Sequence, residues 1–169
     1  MENKFKRIIE NLEELLVLDD EIFSNELILD EHSQCSLLGT VTFSGVYFKA
    51  VDLADSTFVN CRFKNCRFKG VMLQKCNFWS STFENCQIEK SSLTKASFHK
   101  GNFENCTFID SKLSFTYFSE FDFIETKFND SNLNSIGAES IKIYKLNQCS
   151  EIQESYNLRN FLENINSDG

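Results

Sequence analysis

Seven cysteines and two histidines are the residues of this 169-residue chain with the widest chemical repertoire, and their spacing speaks against most of it. Cys66, Cys86 and Cys106 recur every twenty residues. If the chain stacks on itself at that interval, their side chains run parallel about 4.8 Å apart, whereas zinc needs four ligands converging at about 2.3 Å. No CxxC pair and no His ligand set completes such a site, so no metal and no cofactor are expected. Disulfides within the column are excluded by Cβ vectors that do not face each other. His32 and His99 stand apart from any Ser-His-Asp set, phosphate-cradling glycine loop or paired acids, so the chain is not expected to be an enzyme.

The element that positions these residues is a five-residue period. Phe43, Phe48, Leu53, Phe58, Phe63, Phe68, Leu73, Phe78, Phe83, Ile88, Leu93, Phe98, Phe103, Phe108, Leu113, Phe118, Phe123, Phe128 and Leu133 follow one another without a lapse. A helix would spread such residues around its girth and a strand would alternate them between faces. A chain that turns a corner every five residues keeps them all on one axis. Every fourth member is leucine, so the unit is twenty residues in four sides, and the cross-section is square.

The position two before each central residue is small, as at Ser56, Cys61, Cys66, Cys76, Ser81, Cys86, Ala96, Gly101 and Cys106. Five of the seven cysteines therefore point inward as packing thiols, which suits a reducing, cytoplasmic setting. Phe121 breaks this rule, and either a local bulge or a binding feature would account for it. Asn65, Asn85 and Asn105 share one site, where amides can hydrogen-bond along a stack.

Small, then Asn or Asp, then Leu or Phe, as in Val51-Asp52-Leu53, Cys76-Asn77-Phe78 and Ser131-Asn132-Leu133, resembles the pentapeptide-repeat family over residues 41 to 135. The resemblance implies a mainly β fold, a right-handed quadrilateral parallel β-helix. About 4.75 coils would make a rod of about 23 Å before its ends are added. The chain reads as a single domain, with the coil running over 43–146 and an irregular first coil over 22–42, where Phe23, Ile28 and Leu38 keep the register and Ser33 breaks it.

Both ends read as helices. Phe5, Ile8, Ile9, Leu12, Leu15 and Leu16 predict an amphipathic N-terminal helix over 3–18. Ser150-Glu151-Ile152-Gln153 has the form of a capping box opening a C-terminal helix over 150–165. Its stripe of Tyr156, Leu158, Phe161, Leu162 and Ile165 would either cap the last coil or pair two rods as a homodimer. Pairing through a terminal helix is what the resemblance to gyrase-protecting members implies. The longest apolar run of the N-terminal region, Leu15 to Leu18, is far short of the roughly 20 residues a membrane span needs, so no membrane association is expected.

Charge is uneven. Residues 1–42 carry 3 basic and 10 acidic side chains, residues 43–133 carry 11 and 10, and residues 134–169 carry 3 and 5. Within the coil, 43–100 holds 9 basic against 4 acidic and 101–133 holds 2 against 6. The resemblance implies binding of a type II topoisomerase by DNA mimicry, which needs negative potential along the rod. Only the distal third supplies it. Arg62, Lys64, Arg67, Lys69 and Lys75 form a belt around a single coil rather than a stripe that tracks a phosphate backbone, so direct nucleic-acid binding is not expected.

What remains is a protein partner. On the side of Phe58, Phe78, Phe98 and Phe118 the outward sites hold Val59, Trp79, His99 and Ser119, with Phe115 and Tyr117 beside them. Val59, Trp79, His99, Phe115 and Tyr117 are the candidate partner-binding set, because aromatic rings on a rigid surface bury much area at little entropic cost. Trp79 beneath a terminal helix is the competing arrangement. The expected function is a non-catalytic rod that binds a macromolecule, a topoisomerase in the specific form, or a scaffold for an unrelated protein.

Overall fold

The computed structural model describes residues 16–19, 22–24, 37–155 and 158–163. Left-handed backbone recurs at every fifth residue from Thr40 (φ 56°) to Ser140 (φ 51°), and these are the corners of the square. Only two of them, Gly45 and Gly70, are glycine, although L-residues pay about 1–2 kcal/mol for this conformation. Each corner is held by its neighbouring coil. The N–H of Asn65, for example, donates to the Glu84 carbonyl at 2.8 Å, and that of Asn85 to Glu104 at 2.9 Å.

Between corners run short strands: β1 Leu16–Asp19, β2 Ile22–Ser24, β3 Leu37–Gly39, β4 Val41–Ser44, β5 Tyr47–Lys49, β6 Thr57–Val59, β7 Arg62–Lys64, β8 Arg67–Lys69, β9 Asn77–Trp79, β10 Thr82–Glu84, β11 Gln87–Glu89, β12 Ser97–Glu104, β13 Thr107–Ile109, β14 Tyr117–Ile124, β15 Lys127–Asn129, β16 Gly137–Lys145 and β17 Gln148–Ser155. From β3 to β16 they stack in parallel with a shift of twenty residues, Phe43 on Phe63 on Phe83 on Phe103. The walls are named here by their first residue. The Phe43 wall contains β4, β7 and β10, and the Phe48 wall contains β5, β8, β11, β13 and β15. The Leu53 wall is a column of single bridges, Asp52 to Met72 to Ser92 to Lys112 to Asn132. The Phe58 wall contains β6 and β9 and joins the Phe43 wall through β12, β14 and β16, which run around their shared corner.

Inside, the central residues are buried and the rings stack coil upon coil, as with Phe78 and Phe98 at 4.6 Å and 4°. Rings on adjacent walls meet edge to face, as with Phe78 and Phe83 at 5.5 Å and 68°. The small inward residues do more than fill space. The Sγ or Oγ of Cys66, Cys76, Cys86, Cys106, Ser81, Ser111, Thr116 and Thr126 donates to the carbonyl of a central residue 23 positions earlier. No buried side-chain nitrogen or oxygen among the described residues lacks a partner.

Phe121 is resolved as a packing feature rather than a binding one. Its ring is buried and meets Phe98, Phe103, Phe118 and Phe123. Gly101 stands beneath it, and a Cβ there would come within 3.0 Å of the Phe121 ring and would fall on the Ser81 carbonyl oxygen. The repeat also persists past Leu133 in smaller residues: Ala138 takes the central place under Phe118 and Ile143 that under Phe123.

The ends depart from the sequence-based expectation. Leu16–Asp19 is a strand paired with Val41–Ser44, so the N-terminal helix over 3–18 does not extend to residue 18, and residues 3–15 lie outside the described ones. Phe23 pairs with Phe48 at a shift of 25 rather than twenty, while Leu38 pairs with Phe58 at twenty. The first coil therefore carries five extra residues between β2 and β3, and it already includes Leu16–Asp19, ahead of residue 22.

The C-terminal helix over 150–165 is likewise replaced by strand over residues 150–155. β17 folds back antiparallel on β16, Ile152 opposite Ile141 and Glu151 opposite Lys142, so Ser150–Gln153 is a strand and not a capping box. Leu146 and Asn147 make the turn with φ of 48° and 64°, the two positive values of a type I′ hairpin. Among the described residues helix remains only as α1, Arg159–Glu163. No helix of the described residues is long and apolar enough to cross a membrane.

Candidate functional site

The Phe58 wall differs from the others in what it turns outward. Thr57, Val59, Asn77, Trp79, Ser97, His99, Tyr117 and Ser119 alternate with the buried centres over four coils, and none is an acid, a lysine or an arginine. β-strand alternation forces these side chains out, and the twenty-residue shift places Val59 against Trp79, Trp79 against His99, and His99 against Ser119.

Trp79 is 46% exposed; residues 1–15 and 164–169 of the terminal segments that could lie over it fall outside the described residues. Its ring stacks on His99 at 4.2 Å and 16°, and His99 lies 6.4 Å from Tyr117. The Tyr117 hydroxyl donates to Glu139 Oε2 at 3.0 Å, and its ring lies over Gly137, where a Cβ would come within 2.9 Å. Partial burial holds the His99 imidazole below its usual range, against the opposing pull of Glu120. The structure thus gathers Trp79, His99 and Tyr117, with Val59 half-buried beside Trp79. Phe115 stands apart: it occupies a corner, 59% exposed with φ of 60°.

Among the described residues, two exposed apolar side chains fall outside the sequence-derived set. Met72, on the Leu53 wall, was legible as an outward position one before Leu73. Leu146 lies in the β16–β17 turn, for which no Gly gave a signal.

The basic belt is largely satisfied within the rod. Lys64 pairs with Glu84 at 3.3 Å, Arg67 and Lys69 with Glu89 at 3.4 and 3.2 Å, and Lys75 with Asp55 at 3.7 Å. Lys69, first, and Arg67 hold the Glu89 carboxyl below its ordinary value. Exposed pairs of this kind add little stability, but they cancel the field a phosphate backbone would feel. In the amide column Asn85 donates to Asn65 at 3.2 Å, and all three asparagines sit at left-handed corners, a conformation they tolerate well.

Cys61, Cys66, Cys76, Cys86 and Cys106 are free and buried, and Cys149 is free and exposed on β17. Burial pushes the Cys61 thiol up to about 11 and the Cys76 thiol up to about 12. Among the described residues no three His, Cys, Asp or Glu side chains converge as a metal-holding group.

Of the candidate self-association residues, Leu158 and Leu162 are fully buried on their own rod, where the Leu158 N–H donates to the Ile136 carbonyl at 3.0 Å. Their burial corrects the dimer-pairing role for these two and makes them a cap. Tyr156, Ile165 and the Phe161 side chain lie outside the described residues.

Residues 27–93 match the sequence profile of a pentapeptide repeat region. No curated protein matches the chain. Among solved structures it is similar to a pentapeptide repeat protein of the Arabidopsis thaliana thylakoid lumen, with 15% identity over 72% of this chain and 63% of that one and a TM-score of 0.33. It is similar also to HetL, involved in heterocyst differentiation regulation in the cyanobacterium Nostoc sp. strain PCC 7120, with 9% identity, 60% and 63% coverage and a TM-score of 0.31. A third is trypsin-treated QnrB1, a plasmid-mediated fluoroquinolone resistance protein, with 15% identity, 69% and 72% coverage and a TM-score of 0.25. The chain spans 63% of the length of each of the first two.

Proposed function

This chain is a pentapeptide-repeat protein, and from that premise we propose that it acts without catalysis, as a rigid rod that binds a protein partner through the Phe58 wall. One observation carries the reading: Trp79, the sole tryptophan, stands half-exposed and stacked on His99 in the middle of an outward surface without formal charge. Surfaces of this kind concentrate binding energy in a few rigid rings surrounded by neutral contacts. The test is affinity capture from the native host with the wild-type chain and with Trp79→Ala. The reading expects one or more proteins lost from the variant while the melting curve is unchanged. Equal capture by both would remove the wall from the mechanism.

The narrower form of this function is binding of a type II topoisomerase by imitation of DNA. What supports it is the distal coil, where Glu104, Asp110, Glu120, Asp122, Glu125 and Asp130 outnumber Lys112 and Lys127. Glu120 already meets Lys100 at 3.6 Å and Glu125 accepts the Leu146 N–H at 2.8 Å, which reduces the free negative surface. A gyrase supercoiling assay with and without a fluoroquinolone decides it, and no inhibition or rescue at micromolar protein would exclude it. The buried thiols support a cytoplasmic setting, to be read by fractionation of the host.

A further inference from the structure

Of the eight outward side chains on the Phe58 wall, His99 alone changes charge near neutral pH. Its place is fixed by register with Trp79 on one coil and Ser119 on the next. Its ring lies on the indole at 4.2 Å and 16°, with Tyr117 6.4 Å away. The outward neighbours Asn77, Ser97 and Ser119 bring no formal charge. Neutral, the imidazole continues that surface; protonated, it places a whole charge in the middle of it.

Few groups answer that charge. Burial, first, disfavours the charged ring and Glu120 favours it, but the Glu120 carboxylate already meets Lys100, the residue next to His99, at 3.6 Å. On the coil beyond Ser119, Glu139 accepts the Tyr117 hydroxyl at 3.0 Å. The opposite corners hold Lys75, paired with Asp55 at 3.7 Å, then Lys95, a second cation, then Phe115. Trp79 offers the face of a ring, and no described residue accepts a hydrogen bond from either imidazole nitrogen.

Resting on the protein-binding reading of this wall, we propose that the partner docks only on the neutral imidazole and is released as His99 takes up a proton from solvent. A partner that covers Trp79 also covers His99, because the two rings form one stack. Covering removes water from a ring that is already partly buried, and the wall supplies no acceptor for a second ring N–H. The bound and protonated states therefore exclude each other. Linkage then fixes the size of the effect: affinity is about halved at the midpoint of the free wall's titration and is about tenfold weaker one pH unit below it.

The test begins with a random-peptide display selection at pH 7.5 on the folded full-length chain, counter-selected against Trp79→Ala. The library omits His, Asp and Glu, so that the peptides do not titrate in the window used. The anisotropy of a labelled, enriched peptide then gives its Kd from about pH 7.5 to about 4.5 for the wild type, His99→Phe and Glu120→Gln. His99→Phe keeps a flat ring beside the indole and removes the proton, so it also registers any general effect of acid. The expected result is a wild-type affinity that falls about tenfold one unit below the midpoint, a flat profile in His99→Phe, and a loss displaced to lower pH in Glu120→Gln. A wild-type profile that is flat, that falls equally in His99→Phe, or that rises in acid would overturn the proton switch and leave the wall's binding role standing. No peptide dependent on Trp79 would overturn both.

Discussion

Gly101 lies where the backbone of one coil comes closest to the next, and its missing side chain is what admits Phe121 to the interior. A Cβ at this position falls on the Ser81 backbone oxygen, which cannot rotate away as a side chain could. Gly101→Ala should therefore lower stability by about 3 kcal/mol or more, as for other severe overpacking. Because the obstruction is backbone, Phe121→Leu should not restore it; a melting comparison of the single and double variants checks both. His99 offers a second residue-scale test. Its imidazole is held below the ordinary value, first by burial, so its titration in Trp79 fluorescence should have a midpoint below 6.5. Removing the nearby carboxylate, which favours the charged form, should move that midpoint lower still in Glu120→Gln. A midpoint at or above 6.5 would contradict the packing described around the ring.

At the scale of elements, the β16–β17 hairpin turns on a leucine in a conformation suited to Gly or Asn. Leu146→Asn should stabilise the protein by about 0.5–1 kcal/mol in denaturant unfolding, provided the N–H that meets Glu125 is kept. The same turn explains why the C-terminal reading failed. Leu146-Asn147 carries no glycine, Ser150 and Gln153 have capping-box spacing, and only Ile152 of β17 is buried, so no alternation marked a strand. At the other end Leu12, Leu15 and Leu16 fit a helical spacing, while pairing with Val41–Ser44 makes the last of them the start of a strand. By contrast, the walls were legible to the residue, because a five-residue period has one structural solution and each Phe reports its own position. The outward set was legible for the same reason. What spacing could not supply was the Trp79–His99 stack or the ion pairs that occupy the belt.

The inward thiols give the element a measurable pH signature. Unfolded thiols titrate near 9, whereas burial raises Cys61 to about 11 and Cys76 to about 12. The folded state keeps protons that the unfolded chain releases, so this contribution is intact below 9 and is lost as pH rises from 9 through 11–12. The melting temperature of the wild type should fall more steeply across that window than that of Cys61→Ser/Cys76→Ser. Serine already fills equivalent sites at Ser81 and Ser111, where it bonds the same class of carbonyl.

For the whole molecule, the account is of a phenylalanine-filled column whose working part is one outer wall. Sequestered rings and satisfied carbonyls make the column stiff, and stiffness is what lets a few exposed rings bind without an ordering cost. The belt of ion pairs and the Leu158–Leu162 cap belong to that stiffness rather than to recognition. Everything functional therefore depends on the sole tryptophan being open to solvent in the intact chain. Acrylamide quenching of Trp79 in the full-length native protein tests this most directly. Emission readily quenched without denaturant, and changed little on unfolding, is the predicted result; an indole shielded in the native state and freed only by denaturation would contradict it.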